Sequence, residues 1–145
     1  MIVLFGLPGA GKTFIGNVFQ QYFGYYLYDG DTDLPYNMRN AIQKQVEVTD
    51  IMKDTFFQKI IKRSKQLKRK YKKIVVTQTF IKEKYRKLFI HELPETKFIL
   101  VQTANAIRET RLILRNDYPL DLAYARKMSL NFDIPHIVHS TITVR

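Results

Sequence analysis

The 145-residue chain contains no cysteine, which excludes disulfides and thiolate metal centres from the start. Its three histidines, His91, His136 and His139, show none of the spacings of a metal site. No uninterrupted apolar run approaches the ~18 residues needed to cross a bilayer. The amino end reads as a core strand rather than a cleavable leader, so the default compartment is the cytoplasm, with no membrane partner. Internal repeats, low-complexity tracts and linkers are also missing. The chain therefore reads as a single domain, 1–145, long enough to bury about 68% of the surface its unfolded form exposes.

Acidic residues are scarce as well: 13 against 24 lysines and arginines, a formal charge of +11. The imbalance is concentrated between Lys59 and Lys73, where nine cations occur without one acid. Such a stretch can hold nucleic-acid phosphates through counterion release. However, Ile51, Met52, Phe56, Ile60, Ile61, Ser64 and Leu67 recur at helical steps that would face a core, leaving the lysines on a solvated face. The lysines are not interleaved with exposed aromatics in the sequence, as a stacking surface for single strands would require. A nucleic-acid contact is therefore the weaker reading.

What the sequence does contain is Gly6-Leu7-Pro8-Gly9-Ala10-Gly11-Lys12-Thr13, which satisfies G-x-x-x-x-G-K-[ST] at every fixed position. It follows the apolar run Ile2-Val3-Leu4-Phe5 and precedes Phe14, Val18, Phe19 and Tyr22 at helical spacing, giving the strand, loop and helix that the motif requires. Glycines let the backbone turn its N–H groups toward a polyphosphate, and the helix dipole adds to the attraction. Gly6, Pro8, Gly9, Ala10, Gly11, Lys12 and Thr13 are thus expected to hold ATP. Lys12 should reach the β/γ-phosphates, and the Thr13 hydroxyl should ligate Mg²⁺.

The rest of the chain alternates strands and helices. Strands are expected at Tyr25 to Tyr28, Ile74 to Thr79, Phe98 to Val101 and Ile137 to Val144, and helices over about 36–45, along the basic stretch from a Thr49 or Asp50 cap, and over about 82–92. Asn105 is expected to cap a helix carrying Arg108, Arg111 and Arg115; Asn116-Asp117-Tyr118-Pro119 breaks it, and Asp121 can start another running to about 131. This pattern predicts an α/β, three-layer sandwich with a five-stranded parallel sheet, binding its ligands beyond the carboxyl ends of the strands. Asp29, Asp31 and Asp33 follow the second strand and so share a rim with the phosphate loop. Asp31 can accept the proton of an attacking hydroxyl and Asp29 can hold Mg²⁺ through water, whereas Asp33 is expected to be solvated or to cap the next helix. Arg115, before the chain break, is the first choice for a cation closing on the phosphates, and Arg111, one turn earlier, is the second. Arg39 is a candidate for holding an acidic substrate. Tyr25, Tyr26, Tyr28, Phe56 and Phe57 read as core or crevice wall.

The phosphate loop, Asp29-Gly30-Asp31 followed by Leu34-Pro35, and Thr79-Phe80-Ile81-Lys82-Glu83-Lys84-Tyr85-Arg86 together resemble the gluconate kinases, relatives of shikimate kinase. The third-strand stretch matches that family's S-A-L-K-x-x-Y-R at Lys82, Tyr85 and Arg86, and Arg111-Leu112-Ile113-Leu114-Arg115 matches its R-L-x-x-R before a mobile lid. The resemblance implies a nucleoside monophosphate kinase-like fold with a lid at about 115–121. It also implies ATP-dependent phosphorylation of a hydroxyl on a small polar acid, with Asp31 as base or anchor, Arg86 gripping the substrate and Arg115 closing on the phosphates. The pattern departs at Asp117-Tyr118, where the family has His-Phe, and at Lys127-Met128, where it has Ser-Gln. It departs also past the last strand, where the family adds a helix that helps enclose adenine. A nucleoside, nucleotide or nucleic-acid-end kinase and a nucleotide-binding regulator without turnover are the alternatives. The acceptor and the oligomeric state are not legible.

Overall fold

The computed structural model describes residues 1–114 and 122–145. Its strands are β1 (Ile2–Phe5), β2 (Tyr26–Asp29), β3 (Ile74–Gln78), β4 (Lys97–Gln102) and β5 (His139–Thr143). All pair in parallel, in the order β2-β3-β1-β4-β5. The helices are α1 (Lys12–Phe23), α2 (Tyr36–Gln43), α3 (Asp50–Lys68), α4 (Glu83–Glu92), α5 (Asn105–Ile113) and α6 (Leu122–Leu130). The expected five-stranded parallel α/β sandwich is the observed one, with element ends shifted by a residue or two.

Alternation along the strands divides the core between the two faces of the sheet. Val3, Phe5, Tyr28, Ile74, Val76 and Phe98 point to the side covered by α2, α3 and α4. Leu4, Val75 and Val101 point to the other, where they meet Ile15 and Phe19 of α1. On the first side Phe80 meets Phe89 and Phe98 edge to face at 5.7 and 5.4 Å between ring centres, and Phe5 meets Phe98 at 5.5 Å. Such contacts add about 0.5–1.5 kcal/mol per pair to the burial of the rings themselves.

Local signals account for the helix starts. The Thr49 hydroxyl accepts the Met52 N–H at 3.2 Å and so caps α3, with Asp50 at the favourable end of the dipole. In α5 the cap falls one residue earlier than expected, at Ala104, and the Asn105 carboxamide oxygen instead accepts from Arg108 Nη2 at 2.7 Å. Within α3 the core stripe starts later than the spacing predicts: Ile51 is 78% exposed, while Phe56, Phe57, Ile60, Ile61 and Ser64 are buried. The break and Asp121 lie outside the described residues. No helix among the described residues is long and apolar enough to cross a membrane.

Tertiary structure leaves the cations of the basic stretch exposed, as their spacing implies, and sets an aromatic pair among them. Tyr26, expected in the core or crevice wall, opens β2 at the sheet edge and is 37% exposed; its ring stacks at 4.2 Å on Tyr71, which is 41% exposed and lies inside the lysine run. Tyr71 stands among the lysines in the sequence itself, and the sheet edge brings Tyr26 against it.

Candidate active site

Parallel strands with helices on both faces leave their carboxyl ends free to bind ligands. Three such ends converge here: β1 runs into the phosphate loop, β2 into Asp29 and Asp31, and β3 ends at Gln78. They border one cleft of about 660 Å³, with Pro8, Gly9, Lys12 and Thr13 on one side and Asp29 and Asp31 on the other.

Backbone geometry makes the loop. Gly6 and Gly9 have φ of 148° and 78°, conformations that side chains rarely tolerate. There is also no room for one: a Cβ on Gly6 would lie 2.3 Å from the Val101 carbonyl oxygen, and one on Gly9 2.8 Å from that of Arg108. Every carbonyl from Gly6 to Gly9 is taken by a cationic side chain. Lys12 Nζ donates to Gly6 and Leu7 at 2.8 and 2.9 Å, Arg108 Nη1 to Pro8 at 3.3 Å and Arg111 Nη1 to Gly9 at 2.9 Å. The loop thus presents to the cleft the Lys12 and Thr13 side chains and the start of α1. No side chain caps that helix end. This is a surface for an anion.

Across the cleft the acid is held in place. Asp31 Oδ1 accepts from Gln78 Nε2 at 3.0 Å, Gln78 Oε1 accepts the Thr79 N–H at 2.8 Å, and the Thr79 carbonyl accepts the Gly6 N–H at 3.3 Å. One chain of hydrogen bonds thus fixes the separation between the phosphate loop and the carboxylate. Asp29 Oδ1 takes the Asp31 N–H at 3.0 Å and caps a short 3-10 turn, Gly30–Asp33. The Asp29, Asp31 and Thr13 side chains supply hard oxygen donors to the cleft. Among the described residues no group of three or more acidic or histidine side chains can hold a metal alone. That donor set fits Mg²⁺ carried in with a nucleotide, because this ion typically keeps its waters and takes only one or two carboxylates plus phosphate oxygens.

Beyond Asp31 the cleft opens into a second cavity of about 410 Å³, which shares Asp31, Gln78 and Thr79 with the first. Met38, Phe56 and Phe57 form its apolar wall, while Lys53, Lys82 and Lys127 come to it from α3, the β3–α4 connection and α6.

Several expected residues do other work. Arg86 does not face a substrate: it is completely buried, donating to the carbonyls of Phe80 at 2.8 Å, Ile81 at 3.2 Å and Asp133 at 2.9 Å, and to Glu83 Oε1 at 3.1 Å. Its guanidinium lies between the Phe5 and Phe132 rings, 5.0 and 4.7 Å from their centres. Burial lowers its pKa from the usual arginine value, and the Glu83 carboxylate opposes that shift. What Arg86 holds is the turn after β3, where Phe80 adopts a positive φ of 48° that a bulky residue avoids. Arg39 is half-buried on α2 and borders neither cavity. Asp33 is neither solvated nor a helix cap. It is 9% exposed, accepting from the Tyr28 hydroxyl at 2.6 Å and from Arg63 Nε at 3.2 Å, with Lys59 at 3.9 Å. Burial, the largest influence, pushes its pKa up, but the bonds from Tyr28 and Arg63 and the positive charges beside it leave it below the ordinary aspartate value. Gly6 and Ala10 are buried beneath the loop, shaping it without bordering the cleft. Arg111 borders the cleft as expected, while Arg115 and the lid at 115–121 lie outside the described residues.

Two residues that matter here were not singled out in the sequence. Arg108 is 5% exposed and bonded to the loop, and its i, i+3 spacing from Arg111 was the available signal. Gln78 was detectable as the polar end of an apolar, β-branched strand.

No protein-family model matches the chain, and no curated protein matches it at a significant level. Solved structures do. An unliganded sugar kinase from Janibacter sp. HTCC2649 superposes with a TM-score of 0.83 over 99% of this chain and 83% of its own, at 15% identity. A gluconokinase from Sinorhizobium meliloti 1021 gives 0.78 over 99% and 80%, at 19% identity. Kti12 from Chaetomium thermophilum, in complex with ADP-AlF3, gives 0.71 over 98% and 88%, at 16% identity. At these identities the likeness establishes the fold alone, the five-stranded parallel α/β sandwich that these structures share.

Proposed function

We propose that the chain transfers the γ-phosphate of ATP to a hydroxyl of a small polar metabolite, with gluconate or a similar sugar acid as the first candidate. The observation that carries this reading is the carboxylate of Asp31, fixed by Gln78 on the wall of the same cleft that the phosphate loop borders. Phosphoryl transfer asks little of a protein beyond alignment and charge neutralisation, and the cleft supplies both. Lys12 would leave the loop carbonyls for the β- and γ-phosphate oxygens, while Asp31 takes the proton of the acceptor hydroxyl. Thr13, with Asp29 through water, would hold Mg²⁺, which would supply neutralisation of the phosphate charge. The acceptor would lie in the second cavity, with its carboxylate toward Lys53, Lys82 and Lys127 and its C–H face on Phe56 and Phe57. The likeness to a gluconokinase and a sugar kinase supports this choice.

The test is ADP release with ATP and Mg²⁺ across a panel of sugar acids, other hydroxy acids and nucleosides. A hydroxy acid should stimulate release, and Asp31→Asn should lower that rate by about 10²-fold or more while leaving ATP affinity intact. Stimulation by nucleosides alone would overturn the acceptor class. ATP binding without stimulated release by any of them would make the protein a nucleotide-binding regulator instead.

A further inference from the structure

The end of the sheet remote from the cleft carries a surface that phosphoryl transfer does not use. Lys73 immediately precedes β3 and Gln78 ends it, so this surface lies one strand length, about 15 Å, from the active-site rim. At its centre Tyr26 and Tyr71 stack with centres 4.2 Å apart and planes inclined by 21°, each with more than a third of its surface open. Phe23, at the end of α1, is 56% exposed, and its carbonyl accepts from Lys73 Nζ at 3.3 Å. That bond and the Tyr26 N–H to the Lys73 carbonyl at 2.8 Å join the rings to the basic segment.

The cations of the segment around the rings outnumber the carboxylates that pair with them. Lys59 and Arg63 are paired with Asp33, and Lys65 with Glu92. Among the described residues no carboxylate comes within 4.0 Å of Lys62, Lys68, Arg69, Lys70 or Lys72. Open π-faces set among uncompensated cations at the sheet edge suit a ligand with unpaired bases on an anionic backbone. A duplex offers the charge without accessible base faces. A helix lying on a membrane lays its apolar face into the lipid beside its cations, and the apolar face of α3, Phe56, Phe57, Ile60 and Ile61, is buried in the core instead.

We infer that Phe23, Tyr26, Tyr71 and the surrounding lysines form a binding surface for single-stranded nucleic acid, separate from the kinase cleft. Bases extend the Tyr26–Tyr71 stack, and Lys70 and Lys72 meet the phosphates.

Fluorescence anisotropy of the full chain with labelled 20-nucleotide oligo-dT and oligo-U, a hairpin duplex of equal length, and vesicles of phosphatidylserine and phosphatidylcholine tests this. The two single strands separate DNA from RNA as the source. Micromolar binding to single strands, tighter than to the duplex and weakening with salt, is expected. Tyr71→Ala and Tyr26→Ala should each lower single-strand affinity about tenfold, the effect of losing one stacked base, with duplex binding unchanged. Lys70→Gln with Lys72→Gln should reduce the logarithmic salt slope by about 1.4. Thermal melts and ATP binding report on folding. Because Tyr26 sits in a strand and Tyr71 in a connection, Tyr71→Ala carries the test if Tyr26→Ala does not fold. Lys12→Ala should leave oligonucleotide affinity unchanged. Equal affinity for single strands and duplex with no effect of either tyrosine, absence of binding at 50 mM salt, or binding to vesicles but not to oligonucleotides would each overturn the inference.

Discussion

The two halves of the cleft are built on different principles. The phosphate half is mostly main chain: eight consecutive residues bend around a point that two arginines of α5 brace from behind. The half proposed for the acceptor is mostly side chain, assembled from α2, α3, α6 and the β3–α4 connection around a carboxylate on the turn after β2. The difference teaches that an anion site made by backbone has its shape written in local sequence and is only steadied by distant contacts such as those of Arg108 and Arg111, whereas a site made by converging side chains depends on every long-range contact that orients its walls. Damage to the first should therefore appear as lost chemistry in a stable protein, and damage to the second as lost stability or positioning.

The strongest way to break the contrast is at Lys12. Lys12→Ala should lower ATP turnover by about 10³-fold, in line with the loss of a charge that acts on the developing transition state, while the melting temperature moves by only a few degrees. Equal loss of fold and chemistry would show that Lys12, bonded to the Gly6 and Leu7 carbonyls, is structural. Arg86→Ala should do the reverse. It removes the buried cation that pairs with the largely buried Glu83 and releases three carbonyls, and breaking a buried pair costs about 3–5 kcal/mol. For a chain of this length that corresponds to a fall in melting temperature of roughly 10 °C. Unchanged stability together with a raised acceptor KM would restore Arg86 to the substrate site.

A sharper probe is Gln78→Leu, which removes the donor to Asp31 and the acceptor from Thr79. The rate of phosphoryl transfer to the hydroxyl should fall about tenfold, the effect of one lost hydrogen bond to a charged group, with ATP affinity unchanged. A parallel loss of ATP affinity would mean that the two halves are one unit.

The smallest effect concerns Asp33, whose folded-state pKa lies below the value of about 4 that it has when unfolded. The sign follows from linkage: its stabilising contribution is complete above the unfolded value and disappears as pH falls through the folded one. Chemical denaturation should therefore show stability declining below about pH 4, and Asp33→Asn should flatten part of that decline while lowering stability at neutral pH. An unaltered acid limb would mean that Tyr28 and Arg63 do not hold a charged carboxylate.

How much of this was legible follows from how each part is encoded. The phosphate loop, the five parallel strands, the Thr49 cap and the place of Asp31 rest on spacing within a few residues, and sequence recovers them. Arg86 was read as a substrate contact because its motif was visible while its surroundings, Phe5, Phe132 and the Asp133 carbonyl, come from distant parts of the chain. Asp33 was read as solvated for the same reason, its partner Arg63 lying thirty residues on. The lysine run is exposed as its spacing implies, but Phe23 and Tyr26 reach it from α1 and the edge of the sheet, which that spacing does not signal.

Sequence alone determined that there is a phosphate loop, on which strand it stands, and that an acid follows the next strand. A backbone turn is specified by the residues that make it, and alternation of strand and helix puts both features at the same end of a parallel sheet. Only the tertiary structure decided which charges are exposed. Whether an arginine, an aspartate or a tyrosine is buried depends on what packs against it, and those contacts join residues that no local pattern relates.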